Sequence, residues 1–460
     1  MRTLETDSGW LPDLIYTGGE FQSGLAMFAD RNGNITRFSR APADLARAQR
    51  LTGKAILPGL VNGHSHAFQR VLRGRTEHRT PSDRDSFWTW RESMYLAANR
   101  LSPDGLYHAS RMAFLEMLLG GITTVGEFHY VHHAPGGAPY ADRNEMAWQV
   151  LRAARDTGLR IAILRTAYAR SGWGKPAEPG QARFLTPRVE DFIADTEALR
   201  AGIARAEDAG HAWVGVAPHS LRAVPLDYLH EIVAYARAQQ ISVHMHVSEQ
   251  PADVEACLAE YGLRPVDVLD QKGLLHSRFT AVHAIHVTAS EIAALSRASA
   301  IVCACPTTER NLGDGTLPAD RYAIAGVRIS LGSDSNVQIN LLEDARSLEY
   351  HVRMLKLERA VLASKALFSS ATEAGAASLG APGGSLEAGR PADFFTVALD
   401  DPSLAGASPE SLLSHIVFSS ERTAVRDVAV GGKFVVQDGH HPLGEEIVDE
   451  FTRLQNELWS

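Results

Sequence analysis

The chain has 460 residues, of which 45% are hydrophobic and 22% are charged, a composition typical of globular proteins and unlike that of disordered ones. A formal net charge of −9 without any basic block argues against a nucleic-acid partner. We find no apolar run of about 18 residues and no apolar run at the N-terminus, so we expect neither a membrane span nor a signal peptide.

The first sixty residues predict short strands. Apolar segments over residues 14–16 and 25–28 are separated by Gly18-Gly19 and followed by Asn32-Gly33-Asn34. Asn-Gly between two apolar segments is a strong hairpin signal, because both residues tolerate the positive φ of a tight turn. This part of the chain therefore predicts an antiparallel β unit.

A different pattern follows, in which a buried strand alternates with a helix eight times. One helix has both ends marked, with Ser102 as the N-cap, Pro103 at the first helical position and Gly120-Gly121 at its end. Eight such units predict a (β/α)₈ barrel. A doubly wound open sheet is the alternative, but no Gly-x-Gly-x-x-Gly turn follows any strand. The predicted strands are Ile56–Val61, Thr123–Phe128, Arg160–Thr166, Trp213–Pro218, Ser242–Val247, Phe279–His283, Ala300–Cys305 and Val327–Gly332.

Strand patterns return in the last hundred residues. Asp393–Val397 and Val425–Val430 predict strands, and Gly431-Gly432 predicts a hairpin turn into the strand Lys433–Val436. A closing amphipathic helix is predicted by apolar residues at helical spacing, namely Ile447, Phe451, Leu454 and Leu458.

Polar residues follow six of the eight predicted barrel strands, at the ends where barrel active sites form. A single histidine at a strand end is most often structural. Six strands that all end in this way make coincidence a poor explanation. The residues are, in chain order, His64 and His66; Glu127, His129 and Tyr130; His219 and Arg222; His244, His246 and Glu249; His283 and His286; and Ser333 and Asp334.

Four of these residues predict a metal site. His64 and His66 stand at i and i+2 of an extended segment, so their side chains point to the same side. His246 and Asp334 add one nitrogen and one oxygen. Three imidazoles and one carboxylate suit a single zinc ion, with iron(II) and manganese(II) as alternatives.

The cysteines are few and indicate neither disulfides nor a second metal site. Cys303 and Cys305 lie in the apolar run 301–305, where cysteine behaves as a small hydrophobic residue. Their Cys-x-Cys spacing is not the Cys-x-x-Cys of zinc sites. With Cys257 they form an odd, sparse set of three, and we expect a protein of the reducing cytoplasm.

The segment 58–66, Pro-Gly-Leu-Val-Asn-Gly-His-Ser-His, resembles the amidohydrolase superfamily when taken with His246, His283 and Gly332-Ser333-Asp334. The resemblance covers nearly the whole chain. It implies an α/β protein, a (β/α)₈ TIM barrel over residues 58–388 with a composite β-sandwich from residues 1–57 and 389–445. Residues 446–460 form the C-terminal helix.

Longer strings resemble the N-formimino-L-glutamate deiminases of histidine degradation. These strings are residues 64–70, 86–92, 127–133, 219–224 and 311–315. One departure concerns the segment after Asp334, where the resemblance implies a histidine and Asn336 stands instead. The expected activity is therefore a zinc-dependent deiminase, with the substrate preference open at that loop.

The resemblance also implies roles around the metal. Zinc lowers the pKa of a bound water to near neutrality. Asp334 or His283 would orient that water or accept its proton, and Glu249, three residues beyond His246, would protonate the leaving nitrogen as a general acid/base. Which of Asp334 and His283 takes the proton stays open.

A dicarboxylate substrate requires cationic partners, because a buried unpaired carboxylate is costly. Arg91 and Arg222 are the predicted partners, and Gln69, Tyr130 and His219 are their predicted hydrogen-bonding companions by match to the family. The structural alternatives are a surface ion pair for Arg91 and core packing for Trp88 and Trp90.

Two other functions compete with this prediction. A related deaminase that acts on a purine, pyrimidine or triazine ring would share the metal set, but a neutral ring does not need two guanidinium groups. A barrel that lost catalysis and became a binding protein would be expected to lose ligands, and here all are present. A homodimer is expected only because dimers are the commonest soluble assembly.

Overall fold

The computed structural model describes residues 7–77, 87–175, 177–206 and 210–460. Residues 1–6 of the first predicted domain lie outside these ranges. Within them the strands are β1 Ser8–Thr17, β2 Glu20–Gln22, β3 Ala26–Ala29, β4 Ile35–Ser39, β5 Gln49–Pro58, β6 Leu60–Ser65, β7 Ile122–His129, β8 Arg160–Ala167, β9 Ala212–Pro218, β10 Val243–Val247, β11 Phe279–His283, β12 Ile301–Ala304, β13 Arg328–Leu331, β14 Phe394–Ala398, β15 Val425–Val430 and β16 Lys433–Val436.

The helices are mostly short and follow the strands. They are α1 Pro42–Arg47, α2 Phe87–Arg100, α3 Pro103–Leu119, α4 Glu145–Thr157, α5 Val189–Arg205, α6 Leu226–Gln239, α7 Pro251–Tyr261, α8 Pro265–Gln271, α9 Ala289–Arg297, α10 Pro306–Leu312, α11 Ala319–Ile324, α12 Leu341–Lys356, α13 Ser364–Ser370, α14 Glu373–Leu379, α15 Leu412–Phe418 and α16 Gly444–Trp459, with 3₁₀ turns at Ala67–Leu72, Pro179–Phe184 and Arg422–Ala424. Within the described ranges, no helix combines the length and apolar character that a bilayer span requires.

The strands β6 to β13 form one parallel sheet in sequential order. The first and last of these strands also meet, because Ser65 and Asp334 form a parallel bridge. Each strand is almost wholly buried, as expected when helices cover a parallel sheet. The predicted (β/α)₈ barrel is confirmed, and the open-sheet alternative is wrong.

The second sheet combines both ends of the chain, in the order β16-β15-β14-β5-β1-β3-β4, with β2 on β1. The predicted hairpins are confirmed, since β3 pairs antiparallel with β4 and β15 with β16. This sheet has its own core, in which Trp10 packs edge-on against Phe394 at a ring distance of 5.2 Å. The second β unit built from both chain ends is therefore confirmed.

The bounds of the first barrel strand differ from the prediction Ile56–Val61. Ile56 belongs to β5 of the terminal sheet, where it pairs with Ile15 and Thr396, and the barrel strand is β6. Both strands are buried, so the apolar run gives no sign of the change of sheet. The change occurs at Gly59, where an added Cβ would lie 2.2 Å from Oγ1 of Thr123.

Two predicted helix features are confirmed. The hydroxyl of Ser102 accepts a hydrogen bond from the amide of Gly105 at 3.0 Å, and α3 starts at Pro103. The apolar face of α16 is buried at all four predicted positions, Ile447, Phe451, Leu454 and Leu458.

Candidate active site

The site lies where the barrel closes. The amide of Asp334 donates to the carbonyl of His64 at 3.0 Å, and the amide of His66 donates to the carbonyl of Asp334 at 2.9 Å. Backbone hydrogen bonds between the end of β6 and the segment after β13 therefore hold three predicted ligands together. Asp334 has a φ of 46°, a left-handed conformation uncommon outside glycine.

The four predicted metal ligands converge. One ligand atom each of His64, His66, His246 and Asp334 lies within 4.8 Å of the others, and all four residues are buried. Oδ1 of Asp334 is 3.2 Å from Nε2 of His64 and 3.2 Å from Nε2 of His66. These positions bring three imidazole nitrogens and one carboxylate oxygen to one point.

Hydrogen bonds orient two of the imidazoles toward this point. Nδ1 of His66 lies 2.9 Å from the carbonyl of Phe128, and Nδ1 of His246 lies 3.1 Å from the carbonyl of His219. Each carbonyl fixes the tautomer with the proton on Nδ1 and leaves Nε2 as the free donor of an electron pair, as in known metal sites.

His64 tests whether these residues fit a metal ion. Among the described residues neither of its buried ring nitrogens has a hydrogen-bond partner, although Oδ1 of Asp334 lies 3.2 Å from Nε2. Burial lowers its pKa to about 3, so the ring is neutral and able to act as a ligand. A buried imidazole without a partner is costly, and a divalent cation would remove that cost. The donor set therefore fits one such ion.

A second group of potential ligands is explained by hydrogen bonding. His283, Cys305 and Glu309 also lie within 4.8 Å of one another. Oε1 of Glu309 accepts from the amide of Cys305 at 2.9 Å and lies 3.3 Å from Nδ1 of His283. Burial raises the pKa of the Cys305 thiol well above its usual value, which keeps the thiol protonated and a poor ligand.

Glu249 and His283 stand beside the metal set. Nε2 of His283 is 3.6 Å from Oε1 of Glu249 and 3.8 Å from Oδ2 of Asp334. Burial raises the pKa of Glu249 to about 7. Burial alone would lower the pKa of His283, but Glu249, Glu309 and Asp334 raise it well above its usual value. Glu249 can therefore gain or lose a proton near neutral pH.

One cavity brings the predicted recognition residues to the metal set. It is enclosed mainly by aromatic side chains and opens beside the ligands. Every predicted substrate-binding residue lines it. The predicted residues in its wall are His66, Gln69, Arg91, Tyr130, His219, Arg222, His246, Glu249 and Asp334.

The two predicted guanidinium groups share an aromatic neighbour. That of Arg91 lies 4.5 Å from the ring centre of Trp88, and that of Arg222 lies 5.9 Å from the same ring. Arg91 is also 5.4 Å from the ring of Tyr95. Cations gain energy over aromatic faces, so Trp88 contacts both cavity arginines besides any packing role.

The neutral recognition residues form two separate hydrogen-bonded pairs in the cavity wall. The amide nitrogen of Gln69 donates to the hydroxyl of Tyr130 at 2.8 Å. Nδ1 of His219 lies 3.1 Å from the hydroxyl of Ser220, and burial lowers its pKa well below the usual value. His219 is therefore neutral.

Sequence reasoning missed several aromatic residues of the cavity. Tyr168 directly follows β8, one of the two barrel strands for which no polar residue was noted, and that position was an available signal. Tyr95 lies on α2 and Phe184 in a 3₁₀ turn, where no local pattern marks them, whereas Phe87, Trp90 and Leu312 lie in strings already noted but were given no place in the cavity. The missed wall residues are Phe87, Trp90, Met94, Tyr95, Tyr168, Phe184 and Leu312.

Other histidines at strand ends have structural partners outside the cavity. Nε2 of His244 contacts the carbonyl of Ser378 at 2.9 Å, and Nε2 of His286 contacts that of Asp314 at 2.8 Å. The ring of His129 packs against His132 at 5.3 Å. These residues belong to the barrel framework.

Asn336, which departs from the family pattern, lies beneath the site and is fully buried. Its amide nitrogen donates to the hydroxyl of Ser65 at 3.1 Å, and its Oδ1 accepts from the hydroxyl of Ser333 at 2.6 Å. The barrel, the four donors and the cavity together form a site that fits a metal-dependent enzyme.

Comparison with known proteins gives the family. The sequence profile of the Amidohydrolase family matches residues 55–435. A formimidoylglutamate deiminase of Pseudomonas aeruginosa is 39% identical, covering 91% of this chain and 92% of its own length. An 8-oxoguanine deaminase of the same organism is 30% identical, covering 93% of each chain. An amidohydrolase structure from Brucella melitensis has a TM-score of 0.91 at 35% identity, covering 98% of this chain and 100% of that one. The chain therefore belongs to the amidohydrolase family.

Proposed function

We propose that this enzyme hydrolyses N-formimino-L-glutamate to N-formyl-L-glutamate and ammonia with one zinc ion. The observation that carries the proposal is that Arg91 and Arg222 line the same cavity as the metal ligands. Two guanidinium groups offer bidentate partners to two carboxylates, which an amino-dicarboxylate has and a neutral ring lacks. The formimidoylglutamate deiminase among its relatives supports the same substrate.

His64, His66, His246 and Asp334 would hold the metal ion. When bound, zinc makes water nucleophilic near neutral pH. Iron(II) and manganese(II) are the alternative ions for the same four ligands. The hydrogen bonds of His66 and His246 to backbone carbonyls fix the ring orientations before the ion binds, which reduces the cost of assembling the site.

The chemical step is the addition of water to the formimino carbon, followed by cleavage of its bond to the terminal nitrogen. Ammonia leaves only if that nitrogen gains a proton. Glu249 supplies this proton and regains one when the hydroxyl of the adduct becomes the carbonyl of N-formyl-L-glutamate. Its pKa of about 7 leaves a large protonated fraction at neutral pH, whereas an exposed glutamate is almost fully ionised. Nε2 of His283 and Oδ2 of Asp334 lie 3.8 Å apart, so one attacking water molecule can contact both atoms and is oriented by them.

The cavity wall positions the substrate. Arg91 and Arg222 bind its carboxylates, and Gln69, Tyr130 and His219 bind its remaining polar atoms. The buried aromatic wall excludes bulk water, and charged hydrogen bonds are stronger in such surroundings than in solvent.

The proposal is tested by release of ammonia from N-formimino-L-glutamate, guanine, 8-oxoguanine, cytosine and adenosine by the purified zinc-loaded enzyme. We expect turnover of formiminoglutamate with kcat/KM at least a thousandfold above that of any ring. The assay includes 8-oxoguanine because an 8-oxoguanine deaminase that is 30% identical aligns with 93% of this chain. Efficient turnover of a ring without turnover of formiminoglutamate would overturn the proposal.

A further inference from the structure

Arg222 separates two cavities. One is the catalytic cavity described above, and the other is an outer cavity on the far side of the guanidinium group, bordered by the segment 171–175 and by α7. Arg222 and His246 line both cavities. Asp253, on α7, lines the outer one. Asp253 therefore contacts Arg222 from the outer cavity, whereas the substrate would lie in the catalytic cavity.

The two oxygens of Asp253 contact different groups. Oδ1 is 3.4 Å from Nε of Arg222, and Oδ2 accepts a hydrogen bond from the amide of Gln250 at 3.3 Å. Gln250 is the N-cap of α7, so the start of this helix anchors the carboxylate. Glu249 directly precedes the cap. One helix start thus connects the proposed proton donor with the proposed carboxylate-binding residue.

The geometry leaves part of Arg222 available. A guanidinium group carries five N–H donors in a planar fork, and Asp253 lies at ion-pair distance from the Nε edge without completing a hydrogen bond to it. Within the described ranges no hydrogen bond is recorded for its two terminal amino groups, and that edge matches a carboxylate in bidentate fashion. Resting on the proposed function, we propose that Asp253 is a positioning residue, which holds Arg222 so that its terminal edge binds one carboxylate of the substrate.

Charge in the cavity supports this role. The guanidinium groups of Arg91 and Arg222 lie 4.5 Å and 5.9 Å from the same ring centre of Trp88, so the two cations are near enough to repel each other. Asp253 offsets that repulsion from the outer side. Although burial lowers the pKa of Arg222, the neighbouring Tyr168 and Asp253 raise it above its usual value.

Asp253 has a second effect, so the direction in which KM changes when Asp253 is replaced tests the proposal. Its negative charge also repels a carboxylate in the catalytic cavity. If Asp253 only weakened the attraction for anions, its removal would lower KM. If it positions Arg222, removal raises KM, because the fork no longer faces the carboxylate.

The experiment compares D253N, R222M and the double variant R222M/D253N in the zinc-loaded enzyme. For formiminoglutamate we expect D253N to raise KM about tenfold and to change kcat less than twofold. In the R222M background, D253N should no longer raise KM, because the group that it positions is gone. A lower or unchanged KM in D253N would overturn the proposal, as would an equal effect in the absence of Arg222.

Controls separate positioning from folding. Asp227 is an exposed aspartate in the first turn of α6, and D227N should leave KM and kcat unchanged. If D253N does not fold, D253S takes its place, since serine keeps a hydrogen-bonding side chain near Gln250 but is too short to reach Arg222. A wild-type enzyme without activity on formiminoglutamate would overturn the proposed function and this inference with it. An active wild type with an unaltered D253N would overturn the inference alone.

Discussion

Oε1 of Glu249 lies 3.6 Å from Nε2 of His283, although the two residues follow different strands. Register explains the contact, because β10 and β11 run parallel with Val247 beside His283. Ser248 and His283 both have left-handed backbone conformations, with φ of 50° and 66°. The chain therefore bends sharply at both strand ends and directs the two side chains to the same point beside Asp334.

We expect E249Q to lower kcat for formiminoglutamate by about 10²–10⁴, the usual contribution of a positioned proton donor. Glutamine has the same shape but cannot donate a carboxylic proton. Steady-state ammonia release measures the loss, and metal analysis should show unchanged metal content, because Glu249 is outside the donor set. The control is E255Q, at an exposed glutamate of α7. Wild-type rates in E249Q would contradict the role.

The same residue predicts a pH dependence. Glu249 must be protonated to donate, and its pKa is raised from the usual 4.5 to about 7. Since the protonated fraction falls as pH rises through that value, kcat/KM should decrease above about pH 7. A pH profile between 5.5 and roughly 9 measures this limb, which E249Q should lack. A decreasing limb retained in E249Q would assign it to another group.

Substitution of the carboxylate-binding residues should affect substrate recognition. We expect R222M to lower kcat/KM for formiminoglutamate by roughly 150-fold, about 3 kcal/mol, because one carboxylate loses its charged partner in the cavity. R91M should have an effect of the same order. Neither variant should weaken metal binding. The matched control is R188M, which removes an exposed arginine that pairs with Glu190. Unchanged kinetics in both cavity variants would contradict a dicarboxylate substrate.

Removal of the metal should abolish activity and lower thermal stability. A ligand at a thousandfold excess over its Kd stabilises the folded state by about 4 kcal/mol. We therefore expect treatment with a chelator to reduce Tm by several degrees, and added zinc to restore both Tm and turnover. H64N should show the low Tm without treatment, and added zinc should not restore it. A chelated enzyme with full activity would exclude the metal site.

The position of the metal ligands could be predicted because it depends on a regular pattern. Parallel strands place their carboxyl ends at one face of a barrel, so residues as far apart as His64 and Asp334 meet there. The hydrophobic periodicity locates the strands, and the polar residues after them indicate the site. The histidines at 129, 244 and 286 follow the same pattern but turn to structural partners, and nothing in their spacing distinguishes them.

Other features depend on contacts that no local pattern encodes. The change of sheet at Gly59 results from the close approach of Thr123, about sixty residues later. Much of the aromatic cavity wall comes from a helix and a 3₁₀ turn rather than from strand ends, as Tyr95 and Phe184 illustrate. Arg222 follows β9, and Asp253 lies on α7, which follows the next strand, β10. Only the folded barrel brings these two residues into contact.

The buried carboxyl group of Asp344 should make stability depend on pH. Asp344 is fully buried on α12, and its Oδ1 accepts from the amide of Thr307 at 3.0 Å. Its Oδ2 has no hydrogen-bond partner in the described part of the chain. Burial raises its pKa from 3.8 to about 8. A carboxyl group whose pKa is raised by folding favours the folded state least when ionised, so its contribution falls as pH increases from about 4 to about 8.

We therefore expect D344N to gain stability relative to the wild type as pH rises over that interval. Asparagine keeps an acceptor for Thr307 and replaces the protonated oxygen by an uncharged amide, so the variant lacks the penalty for ionisation. Thermal unfolding of both proteins at pH 5 and pH 8 measures the difference in Tm at each pH. D449N, at an exposed aspartate of α16, serves as the control and should follow the wild type. A difference in Tm between D344N and wild type that is the same at both pH values would show that Asp344 does not titrate across this range in the folded enzyme.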